Sequence, residues 1–172
     1  NDTVILSSSP ERFLLKRGRR IETRPIKGTR PRGEDAAGDL ALEAELKNSG
    51  KDMAEHIMIV DLERNDLGRI CEYGSVGRTE SAVIEKYANV FHLVSTVEGT
   101  LKKGTDPIDC LIAAFPGGSI TGAPKIRSME IIDELESVKR SVYTGAIGYI
   151  GCDGNMDTSI VIRTFIIKDR DI

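Results

Sequence analysis

Phe115-Pro116-Gly117-Gly118-Ser119-Ile120-Thr121-Gly122-Ala123-Pro124-Lys125 is the stretch that decides how the chain is read. Three glycines, two prolines and two hydroxyls in eleven residues exclude a strand or a helix interior. Upstream, Asp106-Pro107 opens a helix, with proline at a first helical position. Downstream, from Pro124, Ile126, Met129, Ile132 and Leu135 recur at helical spacing. The stretch is expected to be a glycine-rich loop that opens into a helix N-terminus. Such a loop offers free N–H groups and the hydroxyls of Ser119 and Thr121 to an anion. A plain connection between two helices would carry the same glycines. No Gly-Lys-Ser/Thr is present, so this is not a nucleotide P-loop.

The 172 residues suffice for one large domain or part of one, and 40% hydrophobic with 30% charged residues is ordinary for a globular protein. A net charge of −3 makes no global case for nucleic acid or membrane as a partner. There is no apolar run of transmembrane length and no signal peptide pattern. Cys71, Cys110 and Cys152 are widely spaced and match no metal-ligand pattern, which implies free thiols in a reducing cytoplasm. The chain starts at Asn1 without methionine and stops at Asp171-Ile172 just after a strand pattern, so residues 1–172 read as part of a single domain cut at both ends.

Thr3 to Leu6 reads as a strand, and Arg12 to Lys16 with Arg19 to Thr23 as a hairpin around Arg17-Gly18. Residues 24–33, with two prolines and two glycines, read as a loop. Residues 12–32 hold nine Lys or Arg and one acid, Glu22. That run is a solvated basic hairpin, a wall facing a small polyanion, or a nucleic-acid patch, the last weakened by a single aromatic, Phe13. Glu34 to Asn48 and Lys51 to Asn65 read as helices separated by Ser49-Gly50, the second with Met53, Ile57, Val60 and Arg64 on one stripe. Asp52 and Glu55 lie one turn apart, either as an exposed acidic face or as support for a hard cation. Arg69 to Tyr73, Gly77 to Glu85, Asn89 to Gly99, Val142 to Gly151 and Ser159 to Ile167 read as strands. The last is interrupted by Arg163, and its edge is expected to lack a partner. Hairpins mixed with paired helices, without βαβ alternation, imply an α+β fold with largely antiparallel sheets.

Several strings together resemble the chorismate-utilising enzymes, across nearly the whole chain. They are Ser8-Ser9-Pro10-Glu11, Pro25-Ile26-Lys27-Gly28-Thr29, residues 55–69, Phe91-His92-Leu93-Val94-Ser95-Thr96 and the glycine-rich loop. The resemblance implies a fold of packed β-sheets covered by helices, with chorismate as substrate. Pro-Ile-Lys-Gly-Thr is similar to the version in aminodeoxychorismate synthases, where anthranilate synthases carry alanine at the Lys27 position. The resemblance therefore implies formation of 4-amino-4-deoxychorismate, with ammonia from a glutamine amidotransferase partner; the alternatives are anthranilate synthesis, separated by Lys27, and an inactive anion-binding fragment. It implies Lys27 as nucleophile at C2, Glu11 as acid/base at the ring hydroxyl and His92 as an active-site histidine. It implies Glu55 as a Mg²⁺ ligand with Asp52 supporting it. Arg163 and Tyr143 would hold a substrate carboxylate, and Ser119, Gly118 and Thr121 would donate from the loop. The same resemblance gives Asp61, Arg64, Asn65 and Asp66 structural roles at the helix end. Arg24, Arg30 and Arg32, if close in space, would depress the Lys27 pKa by like-charge repulsion.

Overall fold

The computed structural model describes residues 3–168, so the two chain ends singled out above lie outside it. Strands β2 (Arg12–Arg17), β3 (Arg20–Arg24), β4 (Ile26–Pro31), β5 (Gly77–Lys86), β6 (Val90–Thr100), β7 (Ala146–Ile150) and β8 (Met156–Ile160) form one seven-stranded sheet. The long β6 is its spine. β5 lies along one side of β6, while β4 and β3 share the other side end to end. β2, β8 and β7 follow outward from β3. A second sheet pairs β1 (Thr3–Ser7) with β9 (Thr164–Lys168). Every pairing is antiparallel, so the α+β expectation holds.

The helices are α1 (Ala36–Asn48), α2 (Gly50–Ile70), α3 (Pro107–Ala114) and α4 (Lys125–Leu135). Ser49 both ends α1 and caps α2, its hydroxyl accepting from the Asp52 N–H. Asp106 caps α3 in a reciprocal capping box with Asp109. The main core lies between the sheet and α2 and α3: Phe13, Leu14, Ile21, Val60, Leu67, Val97, Leu101, Met156 and Ile160. A smaller cluster of Leu46, Phe91 and Leu93 sits under α1.

Five sequence expectations are corrected. Residues 26–31 are a strand rather than a loop, because Pro25 and Pro31 fall at its ends and β6 supplies the partner. α2 runs on through Ile70, carried past Gly68 by the burial of Leu67 and Cys71, and only a bridge from Cys71 to Leu101 remains of the strand expected at 69–73. Its buried stripe is His56, Ile59, Val60, Glu63, Asp66 and Leu67, whereas Ile57 is exposed. Polar residues on that face hid it from a hydrophobicity reading. The single strand expected at 159–167 is two: Arg163, at φ 50°, turns the chain between β8 and β9, and β9 finds its partner in β1. Residues 142–145 are likewise turn, so β7 starts only at Ala146.

Candidate functional site

Position 27 owes its orientation to a β-bulge. Along β4, Ile26 faces Val94 and Thr29 faces His92, so three steps on β4 oppose two on β6. The extra residue lies at Lys27-Gly28, where Gly28 adopts φ +95°. A Cβ there would stand 3.0 Å from Leu46 Cδ1 and 3.2 Å from Asp52 Cβ. Glycine is thus required both for the backbone and for the approach of the helices. Lys27 turns toward α2, and its Nζ lies 3.1 Å from Glu55 Oε2, both side chains being about a third exposed, at 39% and 36%. The carboxylate one turn earlier, Asp52, is engaged by Arg30 at 3.1 Å. The Ser49 hydroxyl first and Arg30 next hold Asp52 below the usual carboxylate range, against its burial.

Glu11, from the loop before β2, is 6% exposed. Burial raises its pKa, and the Ser119 hydroxyl, the Ile26 N–H and the Lys27 charge, in that order, pull it back. Ser119 Oγ is itself buried and, although near Glu11, meets no partner at hydrogen-bonding geometry. It belongs to a 3-10 turn, Gly118–Ile120, at the centre of the glycine-rich loop. Both neighbouring glycines are closely packed: a Cβ on Gly117 would stand 2.6 Å from Ile160 Cδ1, and one on Gly118 3.0 Å from Leu62 Cδ2. The Thr121 hydroxyl, expected to face a ligand, donates instead to the Gly117 carbonyl at 2.9 Å. The loop is tied down by Lys125, whose Nζ reaches Asp66 at 2.5 Å and the carbonyls of Ala114 and Pro116 at 2.8 and 2.7 Å. Asp66 is therefore structural, as expected.

His92 is buried on β6, with Nδ1 2.8 Å from Thr29 Oγ1 and the Tyr87 ring edge-on at 5.5 Å. Burial, then the charge of Arg163, lowers its pKa, while Glu85 opposes, so the ring is neutral near pH 7. Arg163 is exposed and has no ion-pair partner among the described residues. Tyr143 stands apart on the 142–145 turn, its ring 6.0 Å from the Arg140 guanidinium. It lines a groove of about 680 Å³ with Thr121, Ile120 and Met129. The structure thus gathers Glu11, Lys27, Glu55, Gly118 and Ser119, sets His92 within the field of Arg163, and leaves Tyr143 and Thr121 on the rim.

The basic run at 12–32 is not a free cationic surface. Arg12, Arg19, Arg20, Arg24, Lys27, Arg30 and Arg32 all pair with carboxylates, seven of the nine basic residues. These charges are partnered within the fold rather than left free for phosphates. The same pairing removes the expected repulsion on Lys27, because Arg24 is spent on Glu85, Arg30 on Glu45 and Asp52, and Arg32 on Asp39. Glu55, which Lys51 also approaches at 3.9 Å, and Glu11 are acidic neighbours of Lys27. Thr29 and Lys125, to which the sequence motifs give no role, brace the site. The only signal for the first was its place in Pro-Ile-Lys-Gly-Thr.

Among the described residues no three His, Cys, Asp or Glu side chains converge as a preformed metal cage. Magnesium is ordinarily held by one or two carboxylates plus waters and ligand oxygens. The half-open Glu55 carboxylate suits that pattern, while Asp52 is committed to Arg30.

Comparison with known proteins places this arrangement. The family model for chorismate binding enzymes matches residues 1–172, and the chain belongs to that family. It is 52% identical over 171 residues to anthranilate synthase component 1 of Pseudomonas aeruginosa, covering 99% of this chain and 35% of that protein. It is 53% identical over 163 residues to aminodeoxychorismate synthase component 1 of Bacillus subtilis, covering 95% of this chain and 35% of that protein. The crystal structure of anthranilate synthase component I from Streptococcus pneumoniae superposes with a TM-score of 0.87 at 43% identity, covering 98% of this chain and 37% of that one. The chain therefore spans about a third of the length of the curated relatives it matches.

Proposed function

We propose that the chain is part of the chorismate-binding catalytic domain of an aminodeoxychorismate synthase component, which replaces the C4 hydroxyl of chorismate with ammonia from a glutamine amidotransferase partner. Lys27 carries this reading. It is an amine set by a bulge beside two carboxylates, at the position where the resembling anthranilate synthases have alanine. The 53% identity to the Bacillus subtilis protein supports it, and the 52% identity to the Pseudomonas aeruginosa protein keeps anthranilate synthesis as the rival.

In this reading Glu11, raised by burial, protonates the departing hydroxyl while the Lys27 amine attacks C2. Ammonia then enters C4 and expels the amine. The Lys27–Glu55 pair must open before attack, and an exposed pair of this kind is worth only about 0–1 kcal/mol. Arg163 and the loop hold the substrate carboxylates. Glu55 would hold magnesium, which when bound supplies charge neutralisation for a carboxylate. Localisation in the cytoplasm is part of the same proposal, and among the described residues no helix is long and apolar enough to cross a membrane.

The test is product analysis with the complete protein. Lys27→Ala is expected to abolish a covalent adduct and most 4-amino product, with traces of anthranilate in its place. Lys27→Arg keeps the charge without a usable nucleophile and is expected to be nearly inactive. Formation of 4-amino-4-deoxychorismate by Lys27→Arg at the parental rate would refute the covalent role.

A further inference from the structure

Glu63 has no part in the reading above, yet it is 8% exposed at the middle of α2, directly behind the site. Its Oε2 accepts from Thr23 Oγ1 at 2.9 Å. On another side is Gly118, where a Cβ would stand 3.4 Å from Glu63 Cγ. The charged groups facing it are Glu11 from the loop before β2, Asp66 from its own helix and Lys125 from α4. Lys125 is spent on Asp66 and two carbonyls, so among the described residues no cation pairs with Glu63. The two cations near this pair of buried carboxyls are committed elsewhere, Lys125 to Asp66 and Lys27 to Glu55, so Glu63 and Glu11 do not both ionise readily.

The geometry points to Glu63 as a proton-holding positioning residue for Glu11: it stays a neutral carboxylic acid through the working pH range, so that Glu11 alone changes charge in this cluster. This rests on the reading of Glu11 as the acid of the site. Burial, first, and the Glu11 charge, second, push Glu63 up to about 8, in line with the geometry. Above that pH Glu63 becomes an anion. A second negative charge then holds the Glu11 proton more tightly and makes Glu11 a poorer donor. The position lies within Asp61-Leu62-Glu63-Arg64-Asn65, where only the flanking charges drew attention in the sequence.

The experiment is infrared difference spectroscopy of the complete protein, with pH–rate profiles for chorismate consumption. Wild type is expected to show the C=O stretch of a protonated carboxyl at pH 7 that disappears as pH rises through about 8. Glu63→Gln, which keeps the shape and can still accept from Thr23, is expected to lack that band. The variant should retain kcat/KM at pH 7 within a few-fold and lose the alkaline decline near pH 8. A wild-type spectrum without such a band overturns the proposal, even if the variant does not fold. So does a variant whose pH profile superposes on wild type, since a purely structural Glu63 would lower stability without moving the profile. The band is independent of which product forms, so failure of the Lys27 assignment would leave it in place, and its absence would leave the Lys27 result untouched.

Discussion

Lys27 and Glu55 are offered different chemistry, nucleophile and cation ligand, yet they face each other at 3.1 Å. On the proposed reading, each would mask the other until substrate is bound. The pair is partly exposed, so its loss should barely alter stability, by about 0–1 kcal/mol. Its effect on chemistry is different. Glu55→Gln keeps the shape and removes the charge, so turnover should fall by orders of magnitude and cease to respond to magnesium. A Glu55→Gln protein that remains fully active in EDTA would remove the metal role. Identities at this scale were legible in the sequence: Glu11, Lys27, Glu55 and Ser119 were named from motifs and the structure gathers them. Their partners were not, because an ion pair such as Arg20 with Glu98 joins residues 78 apart, and no local pattern carries that information.

At the scale of elements, two devices hold the site, the bulge in β4 and the anchored glycine-rich loop. Gly28→Ala puts a Cβ at φ +95° and 3.0 Å from Leu46 Cδ1, so a destabilisation of about 1–2 kcal/mol is expected from the left-handed backbone alone. Chemical denaturation measures it, and unchanged stability would show that the bulge tolerates a side chain. Lys125→Met removes the short, buried partner of Asp66 and leaves only the longer contact from Arg69 at 3.4 Å, with an expected cost of up to ~3–5 kcal/mol. Asp66→Leu in the same chain should recover part of that loss; additive losses in the double variant would contradict the pairing argument. Helices were well read here, since α3 and α4 announce themselves by Asp106-Pro107 and by the spacing of Ile126, Met129, Ile132 and Leu135. The failures were strands at 26–31 and 159–167. In the first, proline and glycine signalled a loop, but pairing with β6 outweighed them. In the second, β-branched residues signalled continuity, but Arg163 adopts a left-handed turn that only the tertiary fold enforces.

For the whole molecule, the buried acids set the dependence of stability on pH, and their signs oppose one another. Glu63 is raised to about 8, first by burial and then by Glu11, so the folded state binds its proton more tightly than the unfolded chain does. Its contribution is fully present below its ordinary carboxylate pKa and is lost as pH rises through about 8. Glu11 and Asp66, raised mainly by burial, act in the same direction. Asp39 does the opposite: hydrogen bonding from Arg32, then the Gly33 N–H, lowers it to about 2. Its contribution is present above its ordinary pKa and disappears as pH falls toward 2. The fold should accordingly be most stable in mildly acidic solution, weakening modestly toward pH 2, where the screened Asp39–Arg32 pair is lost, and gradually from pH 5 to 9. Glu63→Gln removes one proton-linked group without opening a cavity, so its thermal midpoint should fall less than that of wild type between pH 6 and 9. The acid limb should be unchanged, because Asp39 and Arg32 lie on a different surface of the sheet edge, beside Phe91 and Gly33. Parallel midpoint curves for the two proteins across pH 6 to 9 would mean that Glu63 is already ionised in the fold, contrary to the burial and the missing cation that keep it neutral.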